Sequence, residues 1–212
     1  LDEAGNELGK AYIGKKGIYV LKETATSTKI ELFDVAGKQI VNATAEQMAQ
    51  IAKGTLPPNS IFRLGTGDTA KICRTDAAGI VYRINDELVP NITYKLGTVV
   101  YQTDDYGRIV KVTFDELTLK DADRPRKVIQ NTLSEIGRGY EKVNDDRGHI
   151  IADRFNGNNS LANIVSMDSD LNRGEYKAME DIWAESIKLG KNVSGTIELK
   201  YSGKSYRPDV LD

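Results

Sequence analysis

In the first 88 residues apolar positions come in short runs with turn formers between them, which is a strand pattern rather than a helical one. Ala11-Tyr12-Ile13 and Gly17-Ile18-Tyr19-Val20-Leu21 flank Gly14-Lys15-Lys16. Residues 29–35 lead through Ala36-Gly37-Lys38 into Gln39-Ile40-Val41, which predicts a hairpin. One helix interrupts the strands. Thr44 and Gln47 form a capping-box pattern, Gly54 closes the segment and Pro57-Pro58 forbids its continuation. Strands are predicted again at 61–64, 71–74 and 80–84, the last two joined by a turn at Asp76-Ala77-Ala78-Gly79.

Asn85-Asp86-Glu87-Leu88-Val89-Pro90 is the predicted joint between two domains, 1–88 and 89–212. Strands follow at 92–94, 98–101 and 109–114, with Asp104-Asp105-Tyr106-Gly107 as the turn between the last two. Asp123-Arg124-Pro125-Arg126-Lys127 is a basic connector. The stretch from Asp146 to Ala152 reads as a turn entering a strand, 156–160 as a loop, and 161–165 as a short apolar segment. A helix begins near Asp170-Leu171-Asn172 and stops at Gly190. Leu171, Ala178, Met179, Ile182, Trp183 and Ile187 recur at helical spacing and define its expected core face. The sum is an α+β protein with a β-rich N-terminal module.

Composition narrows the chemistry more than the class. The chain has 40% hydrophobic and 28% charged residues, ordinary for a globular protein, and no apolar run long enough to span a bilayer. Its first residues are polar and lack both an initiator Met and a signal peptide, so the expectation is a piece of something longer. The single cysteine, Cys73, excludes an internal disulfide and sits in a strand-like stretch as a small buried hydrophobe. That suits a cytosolic protein, or a secreted one that unfolds to cross a membrane. One histidine and one cysteine nearly exclude a structural zinc site, so a metal would need oxygen ligands: Mg²⁺, Mn²⁺ or Ca²⁺. The net charge is −2, with 11 basic and 11 acidic residues in 1–88 and 18 and 20 in 89–212. That balance disfavours a tight, processive nucleic-acid binder but not an enzyme that cuts and releases.

The candidate chemistry lies between Asp145 and Lys188. A neutral imidazole such as that of His149 can take a proton from water near pH 7, although a lone histidine on a strand is more often structural. Gly148 allows either a close approach or a sharp turn just before it. Arg147 offers a fork of donors to a phosphate. Asn172 at the start of the helix is either an N-cap or an amide oxygen aimed at a hydrated Mg²⁺. On a continuous helix Glu180 would lie about 80° around from Asn172, so both could face one cleft. Otherwise Glu180 is a solvated surface charge. Trp183 on the apolar stripe reads as core rather than as a platform for stacking bases.

Three stretches carry a resemblance. Asp146-Arg147-Gly148-His149 resembles the D-R-G-H motif of the DNA/RNA non-specific endonucleases, a branch of the ββα-metal (His-Me finger) nucleases. Leu161-Ala162-Asn163-Ile164-Val165 is similar to a second family segment. Ser169-Asp170-Leu171-Asn172-Arg173-Gly174 through Glu180 resembles a third. The segments at 103–109 and 201–209 have counterparts in the subgroup found as C-terminal toxin domains of bacterial secreted proteins. Many members of that subgroup carry Gly where Arg147 stands, so a role for Arg147 rests on the wider family. The resemblance covers about residues 90–212 and leaves 1–88 unexplained.

The resemblance implies a twisted antiparallel sheet bearing a ββα site that hydrolyses phosphodiester bonds of DNA, with RNA as an alternative substrate, without sequence preference. It implies His149 as general base, Asn172 as the direct ligand of one Mg²⁺ (Mn²⁺ substituting), and supporting roles for Arg147, Asn163 and Glu180. Arg124, Arg126, Arg138 and Arg173 fall near these motifs and are expected along the substrate path. It further implies a secreted bacterial effector that acts in a target cell's cytoplasm and is held inactive in the producing cell by an immunity protein, expected to be acidic. The alternative is a nuclease-like fold that has lost activity and serves as a binding or scaffold module.

Overall fold

The structure is a computed structural model and describes residues 31–33, 39–40, 58–64, 71–125, 128–129 and 131–212. The strands expected at 11–13 and 17–21, the turn at 36–38, the helix from Thr44 to Gly54, and Arg126 lie outside the described residues. The chain divides into two compact units, Leu1–Lys95 and Leu96–Asp212. No helix among the described residues is long and apolar enough to cross a membrane.

The first unit carries an antiparallel sheet of order β2-β1-β3-β4-β5-β6. Its strands are β1 (Glu31–Phe33), β2 (Gln39–Ile40), β3 (Ile61–Leu64), β4 (Lys71–Thr75), β5 (Val81–Ile84) and β6 (Glu87–Leu88). The predicted hairpin pairing is present, with Leu32 opposite Ile40. So is the turn at Asp76, whose Oδ1 accepts from the backbone N–H groups of Ala78 and Ile80. Cys73 is fully buried, and burial pushes its thiol up to about 11 against the pull of Lys71 and Arg74. Asn85-Asp86 was expected within a joint and is instead a two-residue turn. β5 and β6 pair across it, with Ile84 opposite Glu87, and Asn85 takes the left-handed conformation (φ 52°) that asparagine tolerates.

β7 (Thr93–Leu96) carries the chain into the second unit. There β8 (Val99–Thr103), β9 (Ile109–Phe114), β12 (Gly195–Lys200) and β13 (Val210–Leu211) follow the antiparallel order β13-β12-β9-β8. β12 shows why one face packs: Ile197 and Leu199 are buried while Thr196, Glu198 and Lys200 are exposed, the two-residue period of a strand with one wet side. The turn between β8 and β9 forms on Asp104, whose Oδ1 accepts from Tyr106 and Arg108 N–H, with Gly107 at φ 74°.

A second, two-stranded sheet pairs β10 (Asp145–His149) with β11 (Ile164–Asp168), and two helices follow it: the ββα unit. Ahead of it lies a short helix that sequence reading missed, α1 (Leu133–Gly137). Thr132 caps it in a reciprocal capping box with Glu135, a T-x-x-E signature that was there to be read. After β11, the single helix expected from Asp170 is two, α2 (Ser169–Arg173) and α3 (Glu175–Lys188). The break falls at Gly174, where a Cβ would lie 2.5 Å from the Asp170 carbonyl oxygen. No side chain fits there, and the chain restarts with a new phase.

The new phase corrects the expected core face. Tyr176 and Ala184 are the buried positions of α3, while Ala178 is exposed and Ile182 is 66% exposed. Trp183 is partly buried rather than fully core: its ring stands edge-on to Phe114 of β9 at 5.4 Å between centroids and tilts against Phe155 at 6.1 Å.

Candidate active site

Asp146-Arg147-Gly148-His149 lies on β10 itself, not in a turn. Residues i and i+2 of a strand share a face, so Arg147 and His149 project together. Gly148 between them is there for a close approach, since a Cβ would lie 2.6 Å from the Met167 Cβ of β11. Arg147 is exposed, and one of its terminal nitrogens donates to the carbonyls of Ile129 and Asn131, both at 3.1 Å. Its other donors have no protein partner among the described residues. A cation pinned by backbone with donors to spare suits a phosphate.

His149 Nε2 lies 2.6 Å from Asn159 Oδ1. Asn159 Nδ2 in turn donates to Asp153 Oδ1 at 3.1 Å. Asp153 starts a 3-10 turn, Asp153–Phe155, and its carboxylate receives Lys120 Nζ at 2.6 Å. Burial raises its pKa, but the hydrogen bonds from Lys120 and Asn159 outweigh burial and the net shift is downward. Arg124 also turns inward here, donating to the Asp153 carbonyl at 3.2 Å, while its buried Nε has no hydrogen-bond partner among the described residues. Sequence reading named neither Asn159 nor Asp153. The N-G-N-N-S loop shows only that an asparagine is available.

Asn172 occupies the fourth position of α2. The capping alternative does not apply, because Asp168 caps that helix by accepting from Asp170 and Leu171 N–H. Asn172 Nδ2 instead donates to Asp146 Oδ2 at 2.9 Å. That bond fixes the sense of the amide and leaves its Oδ1 without a partner among the described residues. Arg173 grips the same Asp146 in a two-point ion pair, Nε to Oδ2 at 2.8 Å and Nη2 to Oδ1 at 2.6 Å. Arg173, then Asn172, hold the Asp146 carboxyl below its ordinary pKa against the effect of burial. No group of three or more His, Cys, Asp or Glu side chains among the described residues could hold a metal. The donor that fits a cation here is a single neutral oxygen. This suits a hard ion that keeps most of its water, as Mg²⁺ does.

Asn163 is fully buried and its amide is saturated. Oδ1 accepts from Tyr101 Oη at 3.0 Å and Ile151 N at 2.9 Å, while Nδ2 donates to the carbonyls of Ile151 and Asn158, both at 2.8 Å. That uses every hydrogen bond an asparagine side chain can make. Glu180 is not a solvated charge: its side chain is 14% exposed and lies 3.3 Å from Arg154, which also pairs with Asp181. Burial raises its pKa, with Arg154 opposing. The helix break removes the continuous-helix geometry that related Glu180 to Asn172. Arg138 stacks on the Tyr206 ring, 4.4 Å from its centroid.

The site thus holds an imidazole in contact with Asn159, beside it an arginine with donors that have no partner among the described residues, and an oriented amide oxygen. Comparison with known proteins places the chain in a family. Over 132 residues the chain is 37% identical to the type VII secretion system protein EssD of Staphylococcus aureus strain USA300, and likewise to EssD of strains NCTC 8325 / PS 47 and Newman. The match covers 59% of this chain and 21% of each relative, so the chain spans about a fifth of the length of those proteins. The model of the DNA/RNA non-specific endonucleases matches residues 90–212, the stretch that contains the whole ββα unit, and the chain belongs to that family.

Proposed function

We propose that the second unit is a Mg²⁺-dependent endonuclease that hydrolyses phosphodiester bonds of DNA, with RNA as an alternative substrate, without sequence preference. The observation that carries this reading is the held imidazole of His149 on β10 with Arg147 on the same face. With the amide oxygen of Asn159 facing the ring at 2.6 Å, Nε2 would carry the hydrogen and Nδ1 the lone pair. Nδ1 takes a proton from water as the oxygen attacks phosphorus. The bond from phosphorus to the leaving oxygen breaks, and that oxygen takes a proton from solvent. Arg147 holds the phosphate. Asn172 Oδ1 would hold the cation, which supplies positive charge against the phosphate and the leaving oxygen. Asn163 acts by position, tying the loop after His149 to Tyr101, and Glu180 contributes a shielded negative charge steadied by Arg154. Such a site reads phosphate and sugar rather than base edges.

Plasmid cleavage by the purified chain tests this. EDTA should stop it and Mg²⁺ or Mn²⁺ should restore it, with the melting temperature nearly unchanged, since a site with one protein ligand contributes little to folding. Asn172→Ala should match chelation. Full activity in EDTA, or in Asn172→Ala, would overturn the metal assignment.

The relatives named for a type VII secretion system support a second level of the same reading: this nuclease is the toxin part of a secreted bacterial effector. A cutter without sequence preference endangers its producer, so an immunity protein with an acidic face, bound over Arg147 and Arg173, keeps it inactive until export. Expressed alone in a bacterial cytoplasm, the chain should be lethal, and its His149→Ala variant harmless. A wild-type chain that cleaves plasmid in the tube yet leaves the host unharmed would remove the toxin reading and keep the nuclease.

A further inference from the structure

An amide side chain has two ends of nearly equal size, and which end faces the imidazole decides which nitrogen of His149 carries the hydrogen. Nothing in the contact between His149 and Asn159 settles that choice. Both senses of the amide are chemically allowed there, because a neutral imidazole can donate or accept at Nε2. The far end of Asn159 removes the ambiguity. It lies 3.1 Å from Asp153 Oδ1, and an ionised carboxylate can only accept. The NH₂ group must therefore face Asp153 and the oxygen must face His149.

Asp153 itself is well held. Its side chain is 9% exposed and that of Lys120, at 2.6 Å, is 16% exposed, so the pair is largely shielded from water. Arg124 Nη2 approaches the other carboxylate oxygen at 3.4 Å, the one that Asn159 also reaches. Backbone bonds fix the frame: Lys120 N–H donates to the Arg154 carbonyl at 2.8 Å, and Gly157 N–H to the Ala152 carbonyl at 3.1 Å. Gly157 is required, because a Cβ there would lie 1.7 Å from the Ile151 carbonyl oxygen.

We propose that Asp153, clamped by Lys120, is a positioning residue that acts through Asn159 to lock His149 in the Nε2–H tautomer. The inference rests on the reading of His149 as general base, and its test does not need cleavage. The protein has a single histidine, so a long-range ¹H–¹⁵N spectrum of the metal-free chain contains one imidazole. At pH about 8, above the ordinary histidine range of about 6.5, the wild-type ring should show a protonated Nε2 and an unprotonated Nδ1. In Asp153→Asn the partner can donate as well as accept, Asn159 can turn over, and both ring nitrogens should move toward averaged shifts. Lys120→Met keeps the carboxylate but removes its clamp and should give a smaller shift in the same direction. Turnover of Asp153→Asn should fall about 10–100-fold, as it does when the groups behind metal-binding histidines are removed, with KM little changed.

A wild-type ring that is mixed or protonated at Nδ1 overturns the proposal whatever the variants do. So does a ring that stays purely Nε2–H in both Asp153→Asn and Lys120→Met. If Asp153→Asn does not fold, the wild-type ring and Lys120→Met decide the matter. If the ring behaves as expected but His149→Ala still cleaves plasmid, the base assignment fails and the tautomer lock stands.

Discussion

His149→Ala should lose plasmid cleavage by at least about 10²–10⁴-fold, the usual contribution of a general base, while its circular dichroism and melting temperature stay close to wild type. The loss should be close to complete because no other histidine exists to substitute. The imidazole is partly exposed on β10, and its Nε2 contact is to the loop residue Asn159 rather than to a core group. Its removal therefore leaves no cavity in the packed interior. It does release the Oδ1 end of Asn159, which solvent can satisfy. A decisive comparison is His149→Ala against Asn163→Ala. The first should lose activity and keep its fold. The second should lose fold along with activity, since Asn163 is fully buried and its amide ties together Tyr101, Ile151 and Asn158. Cleavage by His149→Ala at the parent rate would remove the base assignment.

That contrast shows where sequence reading reached and where it stopped. The candidate residues of the ββα unit were legible because the spacings that group them are local. An imidazole two residues from an arginine on one strand, and an amide near a helix start, are short spacings that a motif can record. The orienting groups were not legible. Asn159 sits ten residues past His149 in an irregular loop, and only the folded course of 152–157 brings it back to the ring with Asp153 behind it. Helical bookkeeping failed for a similar reason. Glu180 and Asn172 were related by 100° per residue along one helix, but Gly174 ends that helix and starts another. The same reset moved the buried face of α3 to Tyr176 and Ala184 and left Ile182 in solvent. Positive charge was the least informative signal. Near the motifs Arg124, Arg138, Arg147 and Arg173 look alike, yet the first turns to Asp153, the second stacks on Tyr206 and the fourth grips Asp146. Arg147 is exposed and keeps donors that have no partner among the described residues. In the first unit, turn chemistry was readable at Asp76, whereas Asn85-Asp86 has the composition of a linker and the geometry of a hairpin.

Arg207→Met should destabilise the second unit by about 3–5 kcal/mol, the usual cost of leaving one member of a buried ion pair alone. Asp145 stands at the head of β10 with a fully buried side chain. Arg207 holds it at two points, Nε to Oδ2 at 2.7 Å and Nη2 to Oδ1 at 3.0 Å, and Ser166 Oγ and Lys142 N–H complete the shell at 2.7 and 2.9 Å. Burial pushes the Asp145 pKa up, but the Arg207, Lys142 and Ser166 hydrogen bonds outweigh it and the net shift is downward. A carboxyl whose folded pKa lies below its unfolded value, about 3.9, stabilises the fold fully above that value. This contribution is lost as the pH falls through the folded pKa. Wild type should therefore weaken only below about pH 4. In Arg207→Met the strongest of the lowering contacts is gone and burial remains, so the Asp145 pKa should rise above its unfolded value. The folded variant then takes up a proton that the unfolded chain does not, and acid should relieve it. The gap between wild type and variant should be widest at pH 7 and narrow toward pH 4. The single tryptophan, Trp183, lies in the second unit against Phe114 and Phe155, so its fluorescence in urea reports this unit alone. A gap of the same size at both pH values would mean that Arg207 acts by packing rather than by charge. The absence of a gap at pH 7 would mean that the pair does not hold the head of β10 in place. Adding Asp145→Asn to Arg207→Met separates the two contributions, because removing the orphaned charge should recover part of the loss.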